Sequence, residues 1–195
     1  MPSGRVRQFD ADEALDRALE VFWARGYEGA TLPELTKAMG INRPSLYAAY
    51  GNKQELFRKA LERYGEGPSS YERKALAQAT AREVAAGLLR GAADVQTDPN
   101  TPAGCLATLG TTYCADDSSP VGKMLIASRL AGHAAIRKRF ERARAEGDLP
   151  ADADPEALTH YIGTVVCGMA VLAASGVTRE QLERVIELTM RAWPQ

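Results

Sequence analysis

A chain of 195 residues, 45% hydrophobic and 25% charged, can bury about 70% of its unfolded surface and has ordinary globular composition, which excludes a disordered, collagen-like or disulfide-scaffolded protein. The formal net charge of −1 gives no bulk attraction for phosphates, so a nucleic-acid partner must be met by a local basic surface. Cys105, Cys114 and Cys167 cannot all pair within one chain and show no CxxC or Cys/His spacing, and His133 and His160 stand alone, so no metal site is expected. The opening MPSGRVRQFD has no apolar stretch after its arginines, and the longest nearly apolar run, 162–174, is short for a bilayer. A cytoplasmic address with no membrane partner is the expectation.

The predicted elements are all helices. Asp10 and Glu13 form a capping-box pattern ahead of Ala11, Leu15, Ala18, Leu19 and Phe22 on one face, and Gly26 stops this first helix. Thr31 and Glu34 open a second, with Leu32, Leu35 and Met39 inward and Gly40 as its left-handed end. Asn42 opens a third, with Leu46 and Tyr47 on its inner side and Gly51 closing it; Asn52 and Glu55 open a fourth that runs to about Tyr64. Beyond 65–68 the spacing predicts helices near 69–77, 80–96 and 105–115, then a long one over 119–146. There the interleaved Arg137, Lys138, Arg139, Glu141, Arg142, Arg144 and Glu146 read as a solvated face. Asp154-Pro155 starts a helix over 155–174, and Thr178 with Gln181 caps the last, whose stripe is Leu182, Val185, Ile186, Thr189, Met190 and Trp193. With no alternating run that would make a hairpin, the chain reads as all-α with about nine to ten helices. No P-loop, Rossmann glycine pattern or nucleophile elbow appears, so neither a catalytic residue nor a cofactor is expected.

The most informative stretch is TLPELTKAMGINRPSLYAAYGNK, residues 31–53. Two short helices joined at 39–42 carry apolar residues at Leu32, Leu35, Met39, Ile41 and Leu46, the spacing of a helix-turn-helix packed on a supporting helix. Gly40 supplies the positive φ of the turn, Ile41 plugs the corner, and Asn42 caps the second helix. That helix presents Arg43, Pro44 and Ser45 at its start, where a recognition helix meets base edges, and arginine can bond guanine with two hydrogen bonds. Thr31, Tyr47 and Lys53 lie around it, close to free amides at helix N-termini, and suit phosphate oxygens. A helical enzyme and a dimeric adaptor that binds no DNA are the rival classes, distinguished by turnover and by the absence of a salt-sensitive duplex shift.

Over about residues 9–64 the sequence resembles the TetR-type bacterial transcriptional repressors: Gly26-Tyr27, Thr31, Gly40-Ile41-Asn42, Leu46-Tyr47, Tyr50, Asn52-Lys53 and Leu56-Phe57 carry the resemblance. Thr36 departs from the usual alanine and Tyr50 from the frequent phenylalanine. The resemblance implies a three-helix DNA-binding head, drawn at 1–52, and a helical effector-binding and dimerisation body, 53–195. It implies that Arg43, Pro44 and Ser45 face bases of a double-stranded operator and that Thr31, Tyr47 and Lys53 touch phosphates. It also implies a homodimer through the last two helices, and the apolar circumference of 162–174 with Gly163 and Gly168 supports that, as does the stripe of 178–193. Val165, Met169, Leu172, Leu182, Val185, Ile186 and Met190 are the expected interface, although an internal core would use the same stripes. A small-molecule pocket is expected between the helices of 53–145, lined by Tyr64, Tyr71, Leu88, Cys105, Leu109 and Tyr113. Cys105, following Gly104 at a helix start, is a candidate thiol sensor because amide dipoles favour the thiolate there, while Cys167 reads as core.

Overall fold

The computed structural model describes residues 9–108 and 119–194. Regular structure among them is helical throughout: α1 (Ala11–Gly29), α2 (Leu32–Met39), α3 (Arg43–Tyr50), α4 (Lys53–Glu66), a 3-10 turn (Pro68–Ser70), α5 (Tyr71–Leu76), α6 (Ala81–Gln96), α7 (Pro120–Ala145), α8 (Pro155–Ala174) and α9 (Arg179–Arg191). A further helical stretch opens at 106; Leu109, Tyr113 and Cys114 lie outside the described residues.

The caps explain where the helices begin. Thr31, Thr80 and Thr178 each close a reciprocal capping box with Glu34, Glu83 and Gln181, and Asn42, Asn52 and Asp154 accept from backbone amides of the next turn. Asp10 caps α1 unaided, because Glu13 pairs with Arg17 instead of reaching back. Gly26 breaks α1 at φ +67, ψ 175, where a side chain would be strained, and one more turn follows to Gly29. Gly40, at φ +67 and ψ 27, makes the left-handed turn between α2 and α3.

Two apolar clusters hold the chain. The first joins α1–α4 around Phe22, Leu35, Leu46, Leu56 and Phe57, and takes in Leu106, Val121 and Leu125. The second joins α6, the second half of α7, α8 and α9 through Leu89, Phe140, Ile162, Met169, Leu182 and Ile186. A boundary at 52/53 falls where α4 starts, yet the inner face of α4, Leu56, Phe57, Ala60 and Tyr64, is packed in the first cluster. The charged run of α7 is not uniformly solvated: Arg139 is buried, donating 3.0 Å to the carbonyl of Gln78 and 2.8 Å to that of Ala79, a tie between α7 and the α5–α6 loop. Helix α8 spans the expected 155–174, beginning seven residues before the apolar run at 162. Its best window has mean hydropathy 1.6, long and apolar enough for a bilayer by length and composition, and only 28% of that window is buried.

Candidate nucleic-acid interface and effector cavity

The head is built on α1. Its buried residues Ala18, Leu19, Phe22 and Trp23 receive α4 from one side and α2 from another, with Phe22 edge-on to Phe57 at 5.0 Å. Leu35, Met39 and Leu46 close the corner from α2 and α3, and the Tyr50 hydroxyl donates 2.6 Å to the Ala11 carbonyl, tying the end of α3 to the start of α1. The hydroxyl gives Tyr50 a bond that phenylalanine would lack. Thr36 likewise donates to the carbonyls of Leu32 and Pro33, at 2.9 and 3.1 Å, so its departure from alanine is absorbed within α2.

Held this way, α3 projects its first turn outward. Arg43 and Pro44 are exposed and Ser45 is half-buried, its amide given to Asn42 at 2.9 Å. Tyr47 is 49% exposed, which corrects its placement on the inner side of the helix: Leu46 and Tyr50 fill that side, and position 47, about 100° round from Leu46, lies on its flank. Thr31 is exposed at the start of α2, where Glu34 serves both its amide (3.1 Å) and its hydroxyl (2.8 Å); the backbone bond, then the hydroxyl bond, then Arg25 hold the Glu34 carboxyl below the usual range. Lys53 is half-buried at the start of α4, its ammonium 4.3 Å from the centre of the Tyr27 ring. Arg43, Tyr47, Thr31 and Lys53 thus occupy the starts and outer side of three consecutive helices, with amide-rich N-termini at each.

The body encloses a cavity of about 450 Å³. Tyr64, Tyr71, Leu88 and Cys105 all line it; Leu109 and Tyr113, proposed beside them, lie outside the described residues. Its other walls come from α7 (Arg129, His133, Ile136) and α8 (Ile162, Val166, Cys167). Cys167 is half-buried on the cavity rather than sealed in the core, 3.8 Å from the Thr108 hydroxyl. The two neighbouring i, i+4 rows on α8, Ile162 with Val166 and Gly163 with Cys167, are the signal sequence reasoning passed over; at Gly163 a Cβ would meet His133 at 2.9 Å. The Tyr64 hydroxyl donates to the Cys105 sulfur at 3.4 Å. Burial pushes the phenols of Tyr64 and Tyr71 well above their ordinary value, pushes the Glu72 carboxyl up, and pulls the His133 imidazole down. Each of these shifts favours the uncharged form, while Glu62, Glu66, Arg73 and Arg129 add charged groups to the lining.

The residues expected at a subunit interface divide. Met169, Leu182, Ile186 and Met190 are buried in the subunit's own core, at 1%, 0%, 0% and 7% exposure, and offer no side-chain surface to a partner; Val165 and Val185 are half-buried, and Leu172 is 42% exposed. Hydrophobic periodicity finds the inward stripe, and in α9 that stripe packs on α6. The large apolar side chains left exposed on the body are Leu130, Tyr161, Val171, Leu172 and Leu188.

A two-helix reading head on a supporting helix, mounted on a helical body with an internal cavity, defines a helix-turn-helix DNA-binding regulator of the ligand-cavity type. The chain belongs to the TetR family. The family described as "Bacterial regulatory proteins, tetR family" matches residues 14–60, and "Tetracyclin repressor-like, C-terminal domain" matches 84–189. The HTH-type transcriptional repressor ComR of Escherichia coli (strain K12) is 32% identical over 199 residues, spanning 98% of this chain and 92% of ComR. Among solved structures, a cysteine mutant of the TetR family transcriptional regulator CifR, complexed with a 26-bp double-strand operator DNA, is 45% identical with a TM-score of 0.92 over 97% of this chain and 100% of that one. A TetR regulator from Rhodococcus sp. RHA1 is 39% identical with a TM-score of 0.65 over 95% and 100%. The family consists of DNA-binding transcriptional regulators rather than enzymes.

Proposed function

We propose that this protein is a cytoplasmic, homodimeric repressor that grips a palindromic operator through two copies of α3 and releases it when a small molecule fills the cavity. The observation that carries the reading is the tip of α3, exposed at Arg43 and Pro44 and half-buried at Ser45, held clear of the core by the Gly40 turn and the Asn42 cap. Arg43 reads a base, with Pro44 and Ser45 against the same base edges; Thr31, Tyr47 and Lys53 hold phosphates. The 1–52 head and the 53–195 body divide the work between DNA and effector. The naming of ComR as a repressor and the CifR operator complex support it. The exposed apolar residues of α8 and α9 are covered by the partner subunit rather than by lipid, since paired reading heads require a two-fold assembly.

The cavity suits a compact, mostly apolar effector, because Tyr64, Tyr71, Leu88, Ile136, Ile162 and Val166 line it and burial shifts Tyr64, Glu72 and His133 toward their uncharged forms. A second reading, covalent capture by the Cys105 thiol, is favoured by its place on the cavity wall, where the Tyr64 hydroxyl meets its sulfur at 3.4 Å. The test is selection of bound duplexes from a random library, followed by affinity measurement on the recovered operator. Arg43→Ala should cost about 1–3 kcal/mol and relax preference at one position of each half-site, whereas Lys53→Ala should weaken all sequences alike and lower the salt slope by about one. An unshifted library at low salt, or equal loss on every sequence with Arg43→Ala, would overturn the reading.

A further inference from the structure

We propose that Tyr27 is a positioning residue for operator binding: its ring holds the Lys53 ammonium in place to meet a backbone phosphate. The inference rests on the reading of Lys53 as a phosphate contact. It starts from a geometry that the helix-turn-helix itself does not require, the Lys53 ammonium lying 4.3 Å from the centre of the Tyr27 ring.

The platform under the lysine is fixed from below. Tyr27 follows the break at Gly26, which swings the last turn of α1 off the axis of the preceding helix and brings position 27 to the side where α4 begins. The ring then meets Phe57 edge-on at 5.3 Å and 70°, and lies beside Phe22 at 6.3 Å and 17°. Both phenylalanines are completely buried. Tyr27 itself is half-buried, with one flank on the head core and its face turned to the ammonium. Aromatic contacts of this kind restrict the ring to one orientation.

Lys53 is the first residue of α4, and the Asn52 cap at 2.8 Å fixes its backbone. A lysine with a free stem loses most of its rotamer freedom when it binds a phosphate, so its charge is discounted by that ordering. A stem already laid along an aromatic surface has lost part of that freedom before DNA arrives. The ammonium stays available, because none of the ion pairs among the described residues engages Lys53, and Glu28, whose charge opposes the burial that pulls the Lys53 pKa down, forms none with it within 4 Å. A phosphate can therefore bind without first displacing a carboxylate. The same packing makes Tyr27 part of the head core, so the test must separate placing the lysine from supporting the fold.

A double-mutant cycle does so. Operator affinity of the full-length protein is measured by fluorescence anisotropy over a salt series, on the selected duplex, for the unaltered chain, Tyr27→Phe, Tyr27→Leu, Lys53→Met and Tyr27→Leu/Lys53→Met. Tyr27→Phe keeps the ring and should bind within about twofold of the unaltered chain. Tyr27→Leu should weaken binding about three- to fivefold with the salt slope unchanged, since the charge remains. Lys53→Met should weaken binding and lower the slope by about one, and the double variant should be no weaker than Lys53→Met alone. A double variant weakened by the product of the two single effects shows that Tyr27 merely supports the fold, and it overturns the inference; so does a Tyr27→Phe variant as weak as Tyr27→Leu. If Lys53→Met leaves affinity and slope untouched, the phosphate role of Lys53 fails and this inference with it, whereas additivity with an active Lys53 removes only the part played by Tyr27.

Discussion

Replacing Leu188 by alanine should split the proposed homodimer without unfolding the subunit. Leu188 is 64% exposed on α9, the largest exposure among the big apolar side chains of the described residues. Fully burying a leucine is worth about 1.5–3 kcal/mol, so covering the exposed two-thirds is worth about 1–2 kcal/mol in each subunit. A two-fold interface counts the residue twice, giving about 2–4 kcal/mol per dimer, or roughly 30- to 1,000-fold in the dimer dissociation constant, as an upper estimate. Leu182, six residues earlier on the same helix, is the internal control: it is completely buried, and Leu182→Ala should cost about 2–5 kcal/mol of folding stability through the cavity it leaves. Sedimentation equilibrium gives the first number and urea unfolding the second. If Leu188→Ala leaves the dissociation constant unchanged while Leu182→Ala raises it without loss of stability, α9 presents its other face to the partner and the assignment made from burial is wrong.

The cavity gives two more expectations. Cys105→Ser should leave operator affinity unaltered in the absence of reagent, and should abolish operator release by thiol-reactive compounds if Cys105 is their target; release that persists in the serine variant removes the covalent reading. Acidification should destabilise the fold through His133. Burial, reinforced by His160 and Arg129, holds its folded pKa below the ordinary value near 6.5, so the unfolded chain takes up the proton first. The contribution is complete above about pH 6.5 and is lost as pH falls through the window between the two values. His133→Gln should flatten the melting temperature over that window; an unchanged pH profile would show that the imidazole does not set it.

The reading head was legible because each of its instructions is local. Gly40, Asn42 and the Thr31–Glu34 pair act within a few residues of themselves, and the structure shows the turn, the cap and the reciprocal box at those positions. The all-helical class followed from the same punctuation. Tyr47 and Arg139 went wrong for a shared reason: an amphipathic side chain at a helical position reads equally as buried stem or exposed head until the neighbouring element is placed. Arg139 is buried by a loop some sixty residues away, a contact no window on α7 contains. The stripe of α9 was visible, but which hydrophobic surface it meets is a tertiary fact, and it meets α6 of its own subunit. Cys167 shows the same limit on α8, where a cavity wall and a core share one composition.

One helix belongs to both halves of the molecule, and the proposed release must act through it. At its end, Tyr64 lines the cavity and donates to Cys105, while its ring stands edge-on to Trp23 of α1 at 4.9 Å. One residue earlier, Arg63 makes two bonds to Asp16 of α1, at 2.7 and 2.9 Å, so the last turn of α4 and the middle of α1 move together. At the start of α4 stands Lys53, about 16 Å from Tyr64 by helical rise. A molecule that displaced the Tyr64 phenol would thus push on the helix that carries α2 and α3 and on the helix whose Lys53 is proposed to hold a phosphate, without touching either proposed DNA-facing surface. Tightness alone does not achieve this. Under this proposal an effector would lower operator affinity only as far as it prefers the displaced arrangement of Tyr64, typically by about 1–3 kcal/mol, and by reciprocity operator DNA would weaken the effector by the same factor.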